Sequence, residues 1–445
     1  TLSIVKKSYG ESYNTSAIIK KMEKAIERIS TICISTCNRS EQLISSLSGL
    51  IGHLGKYKRS PKVLVVDDSE IAQNAQQSRE IVSSYSLTYS GVIEFLDRND
   101  RKNMASTLAK EKNISEEVMN FALCGDKIST TTIGAVRNTF LLKTRGEKIV
   151  MLDDDLVYNF FSPIQEEAPY VSIGNSYEFY FLKDNEVPPV SVFQSTGTDF
   201  LSAHENMLGK KASDILGEET PEYIKDLEII DTYMGAYGDS PMESHLLLLL
   251  QPNIQDKLKN VSMEEYQRIK NTNRIIQTPL AKTIYQGVLC IGMVMGIDNR
   301  GLVPPFFPHG RSEDLVFGVT RYIAFPSKIS GHIPLLIEHG RPHKESRLPS
   351  YDSFYVTNMN KVIVSLLEET ENIDIDPFNN LQKIGNKFSN IAKESASTFG
   401  MAMESQCQKI AKIIIDYVNT IIKNSSRMPD FWVSDLKSII HTLQS

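Results

Sequence analysis

Three consecutive aspartates, Asp153, Asp154 and Asp155, close the apolar run KIVML before the chain turns apolar again at LVYNF. Neighbouring carboxylates repel one another and are costly to desolvate, so such a group persists beside a cation. Hard divalent ions such as Mg2+ or Mn2+ take carboxylate oxygens and share their coordination with diphosphates, which makes Asp153 and Asp155 candidate ligands. A turn or helix start that tolerates acid is the alternative. A second acidic pair, Asp67 and Asp68, ends the run KVLVV. A third, Glu313 and Asp314 in HGRSEDLVFG, offers a carboxylate that could take a proton, and it equally suits the acidic first turn of a helix. Asp374 and Asp376 repeat the D-x-D spacing, but their acidic, proline-ended surroundings read as a solvated loop.

Four histidines, His309, His332, His339 and His343, follow in the last third of the chain. His339 and His343 stand at i and i+4 in HGRPH. That segment lacks the glutamate of H-E-x-x-H and has Pro342 inside, which disfavours a zinc-hydrolase helix. Each histidine otherwise reads as a polar loop residue. Arg137, Lys143, Arg145 and Lys148 cluster ahead of the triple aspartate. A solvated helix face accounts for the set, and Arg137 is the one aimed at phosphates. Cys33 and Cys37 read as a buried small residue and a loop residue rather than a redox pair.

These groups need a frame. TICIST, residues 31 to 36, reads as a buried strand, and the segment after it sets Leu43, Leu47, Leu50 and Leu54 on one helical face, with Asn38 and Glu41 as a capping pair. KVLVVD predicts a second strand, GVIEFL a third and KIVML a fourth. The helix GAVRNTFLLKTRGE precedes the last of these, with Gly146 placed to stop it. Alternating strands and helices imply an α/β, Rossmann-like, mostly parallel sheet flanked by helices, with ligands at the carboxyl ends of the strands. The acidic ends of the second and fourth strands therefore share one rim. TIYQGVLCIGMVMG reads as strand again. The expected organisation is an N-terminal helical extension over 1–30, a sheet domain over 31–350 with a less regular insertion at 165–280, and a C-terminal helical region over 351–445. In that last region Ile410, Ile414, Tyr417 and Ile421 follow one helical face.

Composition excludes other classes. The 445 residues are 41% apolar with a formal net charge of −6, enough to bury a substantial core. Basic residues are dispersed, so no nucleic acid is expected as a partner. Five cysteines without C-x-x-C spacing suit a reducing, cytoplasmic compartment. The longest apolar runs, near residue 248 and at 288–297, fall short of the roughly 20 residues that span a bilayer, so no integral membrane segment is expected. The sequence opens on Thr1 rather than methionine, which leaves an upstream targeting segment open. Nothing in it reports the oligomeric state.

Taken in order, TCNRSEQL, VLVVDDS, GAVRNTFLLKTRGEKIVMLDDDL and HGRSEDLVFG resemble family 2 glycosyltransferases of the GT-A fold. The resemblance covers residues 31–160 and, more thinly, 284–320. It implies that Thr36, Asn38, Arg39, Asp67 and Asp68 meet the nucleotide and that Arg137 and Asn138 are the family's pair ahead of its D-x-D motif. That motif maps onto Asp153, Asp154 and Asp155, with Asp155 the more direct metal ligand. The resemblance further implies Asp314 as catalytic base with Glu313 beside it, and His343 or His339 as an added metal ligand. The implied activity is a Mn2+- or Mg2+-dependent transfer of a hexose from a nucleotide-sugar donor, a UDP-sugar, to a hydroxyl of a glycan or protein acceptor, with inversion. The gap from DDD to SED is longer than in compact members, and 165–280 would lie on the acceptor side. Two alternatives stand beside this reading: a catalytically silent glycan-binding or scaffold protein on the same fold, and a sugar nucleotidyltransferase. The latter would carry a glycine-rich basic loop where this chain has TCNRSEQL.

Overall fold

The structure, a computed structural model, describes residues 27–126, 131–174, 177–182, 186–239, 252–271, 274–340, 359–371, 373–424 and 428–444. His343, the apolar run near residue 248 and the expected extension up to residue 26 lie outside the described residues. The first half of the chain alternates as β1 (Ile29–Thr36), α1 (Ser40–Lys56), β2 (Lys62–Asp67), α2 (Ala72–Ser86), β3 (Ile93–Leu96), α3 (Arg98–Lys112), α4 (Glu116–Cys124), α5 (Ile133–Lys143) and β4 (Lys148–Asp153). The middle adds β5 (Leu156–Pro163), β6 (Tyr170–Ser172), β7 (Glu178–Phe181), β8 (Phe193–Ser195), α6 (Phe200–Glu205), α7 (Ala212–Leu216), β9 (Glu228–Asp239), α8 (Pro252–Leu258), α9 (Met263–Asn271) and β10 (Arg274–Thr278). Then follow β11 (Thr283–Tyr285), β12 (Val294–Asp298), α10 (Glu313–Ala324), β13 (Lys328–His339), α11 (Met359–Glu368), α12 (Pro377–Ile391), α13 (Ala396–Lys423) and α14 (Asp430–Gln444).

One sheet runs β3-β2-β1-β4-β12-β9-β13-β11-β6, with β10 on β9 and β5 on β13. Its first four strands are parallel. Their apolar runs are covered on both faces, as buried parallel strands require. Alternate residues point opposite ways: Ile32, Ile34, Val63, Val65, Val150 and Leu152 join Leu43, Leu47, Leu50 and Leu54 of α1. Cys33, Leu64, Val66, Ile149 and Met151 join Val136 and Phe140 of α5 and Phe317 of α10.

Beyond β4 the pairing turns mixed. β12 lies antiparallel to both β4 and β9, while β9 and β13 run parallel to each other. The segment 283–296, read as one strand, divides between β11, paired to β13 and β6, and β12 beside β4. Two further expectations change in detail. Arg39, not Asn38, is the N-cap of α1 and makes no side-chain cap bond. Asn38 sits in the left-handed region at φ 55°, and its side-chain oxygen accepts from Asn74 at 2.7 Å, so no capping box closes. Along α13 the buried positions are Val418 and Ile421, with Ile414 packed against them, whereas Tyr417 is 46% exposed. The loop reading of Asp374 and Asp376 holds, with Asp376 capping α12 by accepting from Phe378 N at 3.0 Å.

Candidate active site and metal centre

The ends of β1, β2 and β4 are level: Thr36 pairs with Asp67 and Ser35 with Asp153. All of them stop at one rim, where the sheet meets a cavity of about 650 Å³. Thr36, Cys37, Arg39, Asp68, Asp153, Asp154 and Asp155 line it from the rim, Arg137 from α5, Glu313 and Asp314 from the start of α10, and His339 from the end of β13. β9 and β10 supply Tyr237, Asp239, Ile275 and Gln277. Sequence reasoning named none of these four, nor Gly292, Arg311 and Lys361, which also line the cavity.

Although consecutive, the three aspartates face different partners. Asp154 accepts from Thr36 Oγ1 at 2.7 Å and from an Arg39 guanidinium nitrogen at 3.1 Å. That same nitrogen reaches Asp155 Oδ2 at 3.1 Å, while Asp155 Oδ1 lies 3.0 Å from His339 Nε2. Asp153 has Arg137 at 3.9 Å and keeps 31% of its side chain exposed to the cavity, against 4% and 3% for Asp154 and Asp155. Burial pushes the Asp153 carboxyl up to about 7, with Asp155 adding to the rise and Arg137 and His339 opposing it. The open face of Asp153 does not prevent this, because the floor of the cavity is itself deep in the protein. Burial likewise raises Asp154 to about 6 against the pull of Arg39.

Across the cavity, Glu313 and Asp314 do form the acidic first turn of a helix, and they also face the site. Glu313 is buried and accepts from Arg137 at 2.8 Å. Burial raises it to about 7, with Arg137 opposing and Asp314 reinforcing the rise. Asp314 accepts from the backbone N–H groups of Gly292 at 3.2 Å and Leu315 at 2.9 Å, which fix its direction. Arg137 also donates to Gly292 O at 2.9 Å. A side chain at Gly292 would press on that guanidinium, since an added Cβ would lie 2.2 Å from its nitrogen. Burial works against the Arg137 charge, but Glu313, Asp153 and Asp314 outweigh it and its pKa is raised. One arginine thus links the acid triplet to the α10 acids. The loop before α10 is pinned by Asn360 of α11, whose amide donates to the carbonyls of His309 and Arg311 at 3.0 and 2.6 Å.

Not every candidate reaches the cavity. Asn38, Asp67 and Asn138 do not line it. Asn138 is spent on structure, donating to Ala122 O and Phe306 O at 3.0 and 2.9 Å and accepting from Phe306 N at 2.8 Å. Asp67 is fully buried and accepts from Ser69 N at 2.6 Å, closing the turn after β2. Asp68 lines the cavity, but its oxygens already accept from Arg101 and Thr132. Of the basic cluster, only Arg137 lines the cavity: Lys148 is buried against Glu27 and Leu208 O, and Lys143 pairs with Glu94. His332 is fully buried among Tyr177, Tyr233 and Tyr285, and His309 lies 3.0 Å from Asp126.

Asp153, Asp155 and His339 can hold a divalent ion, because each offers one ligand atom and these atoms all lie within 4.8 Å of one another. Two carboxylates with one imidazole suit Mn2+ or Mg2+, which favour oxygen donors, and they lack the thiolates of a closed zinc site. Burial, reinforced by the neighbouring Asp155, raises Asp153, and a bound cation would favour its ionised form. His339 reaches the cluster because β13 pairs with β5, setting His339 opposite Leu156 with Gly340 N donating to Asp155 O at 2.9 Å, and β9 runs close along its other side. Gly238, at φ +107°, pairs with His339, and an added Cβ would stand 2.4 Å from the His339 carbonyl oxygen.

No protein-family model matches this chain, and no curated protein sequence does. Among solved structures it is similar to the mannosyltransferase PcManGT from Pyrobaculum calidifontis in complex with GDP-Man and Mn2+, at 9% identity and a TM-score of 0.33 over 100% of this chain and 98% of that one. At that score the likeness carries no argument about fold or activity. No helix among the described residues is long and apolar enough to cross a membrane, and all five cysteines are free.

Proposed function

We propose that this chain is a metal-dependent glycosyltransferase of the GT-A, family 2 type, moving a hexose from a UDP-sugar to a hydroxyl of a glycan or protein acceptor with inversion. The observation that supports it is the meeting, in one cavity, of a two-carboxylate, one-histidine cluster at a parallel-sheet rim with a second, separately oriented carboxylate. Asp153, Asp155 and His339 would hold Mn2+ or Mg2+, which when bound supplies charge neutralisation for a departing diphosphate. Thr36, Arg39 and Asp68 form the wall next to that cluster and would receive the nucleotide end of the donor. Asp314 takes the proton of the acceptor hydroxyl, and its two backbone donors aim it. Arg137 is a positioning residue: held by Glu313 and Gly292 O, it keeps the base side and the metal side in register. Leu289, Ile291 and Met293 give the cavity an apolar wall that limits water around the reacting groups.

The decisive experiment is a thermal-shift panel of nucleotide-sugars with and without Mn2+. One donor should raise the melting temperature only when the metal is present. The Asp155→Ala variant should lose both that shift and transfer, and full metal-dependent transfer in that variant would overturn the metal assignment.

A further inference from the structure

We infer that Arg39 is a built-in competitor of the metal, holding Asp154 and Asp155 until a divalent cation arrives and then turning to the phosphates of the donor. The inference rests on the metal-centre reading above and deepens it. Arg39 places one guanidinium nitrogen 3.1 Å from Asp154 Oδ1 and 3.1 Å from Asp155 Oδ2. Asp155 is thus shared between this arginine and the cluster it forms with Asp153 and His339. A guanidinium and a divalent ion on one carboxylate repel each other, and burial of Asp154 and Asp155 weakens the screening that would soften the conflict.

Something must give, and the geometry shows which partner can. Asp154 is anchored by Thr36 and Asp155 lies on the turn between β4 and β5, both nearly inaccessible. The Arg39 side chain is 41% exposed, sits at the loop end where α1 begins, and makes no side-chain cap bond that would hold it there. A guanidinium does not shed its proton, so it relieves repulsion only by moving. The space open to it is the cavity it already lines. A diphosphate is the group whose oxygens best match its fork of donors. The consequence is coupling: metal alone binds weakly, and metal with a nucleoside diphosphate binds tightly.

The test is Mn2+ titration followed by the EPR signal of the free ion, on the full chain, with and without uridine diphosphate, comparing wild type with Arg39→Met. The variant should bind Mn2+ alone more tightly, on the order of tenfold, and uridine diphosphate should improve its Mn2+ affinity less than it improves that of wild type. Arg39→Gln repeats the measurement if Arg39→Met gives no native melt, and Arg39→Lys should restore only part of the coupling. Unchanged or weaker Mn2+ binding in a folded Arg39→Met protein would overturn the competition while leaving the metal centre intact. Absence of Mn2+ binding in wild type and variant alike, with or without the diphosphate, would overturn the metal centre and the competition with it.

Discussion

Asp153, Asp154 and Asp155 divide their work because successive residues leaving a strand point in different directions: Asp153 toward Arg137, Asp154 toward Thr36 and Arg39, Asp155 toward His339. The raised carboxyls set a pH dependence with an unusual sign. Asp153 and Glu313 each titrate near 7 when folded, above their ordinary values of 3.8 and 4.5. The folded chain therefore holds extra protons between about pH 4 and 7, and in the absence of metal these two groups make stability fall as pH rises through that window. A divalent ion requires the ionised form of Asp153, so its binding expels a proton below about pH 7. The upward shift in melting temperature caused by Mn2+ should grow from pH 5.5 to 7.5 and then level off. A shift independent of pH over that range would mean that Asp153 is not a ligand.

At the scale of elements, the strand-end acids were legible because KVLVV and KIVML are short, β-branched apolar runs that read as buried strands, and a parallel sheet brings their ends to one rim. The partners were not legible, because they depend on pairings between distant segments. Arg39 meets Asp155 only because β1 lies beside β4, and His339 joins Asp155 because β13 pairs with β5, which sets His339 opposite Leu156, while β9 runs along its other side. Asn138 looked like a ligand residue, yet its polar group was needed to tie α5 to the carbonyls of Ala122 and Phe306. The β9–β13 contact also makes a prediction. Gly238→Ala adds a methyl where the His339 carbonyl already stands and forces a residue with φ +107° to carry a side chain, a strain of about 1–3 kcal/mol before any clash. Gly217 also has positive φ, at +74°, but has no atom within 4 Å of an added Cβ. Gly217→Ala should lower the melting temperature modestly with Mn2+ affinity intact, whereas Gly238→Ala should lower both. Equal Mn2+ affinity in the two variants would show that the β9–β13 approach does not set the position of His339.

For the whole molecule, the question is whether the helices after residue 358 form an appendage or part of the main body of the fold. They divide between two cores. Ile363, Leu367 and Ile384 of α11 and α12 pack with Val316, Val319 and Phe325 around α10, the helix that presents Glu313 and Asp314. Val418, Ile421, Trp432, Leu436 and Ile439 of α13 and α14 pack with Tyr177, Phe179, Leu258, Tyr266 and Ile275 of the middle segment. Ile275 also lines the cavity, as does Lys361 of α11. The tail therefore backs both the helix that carries Glu313 and Asp314 and the β10 wall, across the division expected at residue 351. Trp432 is fully buried, and Trp432→Ala should cost about 3–5 kcal/mol of unfolding free energy by denaturant titration. Removal of residues 377–445 strips apolar cover from both cores at once, and the truncated chain should show no cooperative melt and no Mn2+-dependent shift. A truncated protein that melts cooperatively and keeps the wild-type Mn2+ affinity would show instead that the sheet and α10 form a self-sufficient unit.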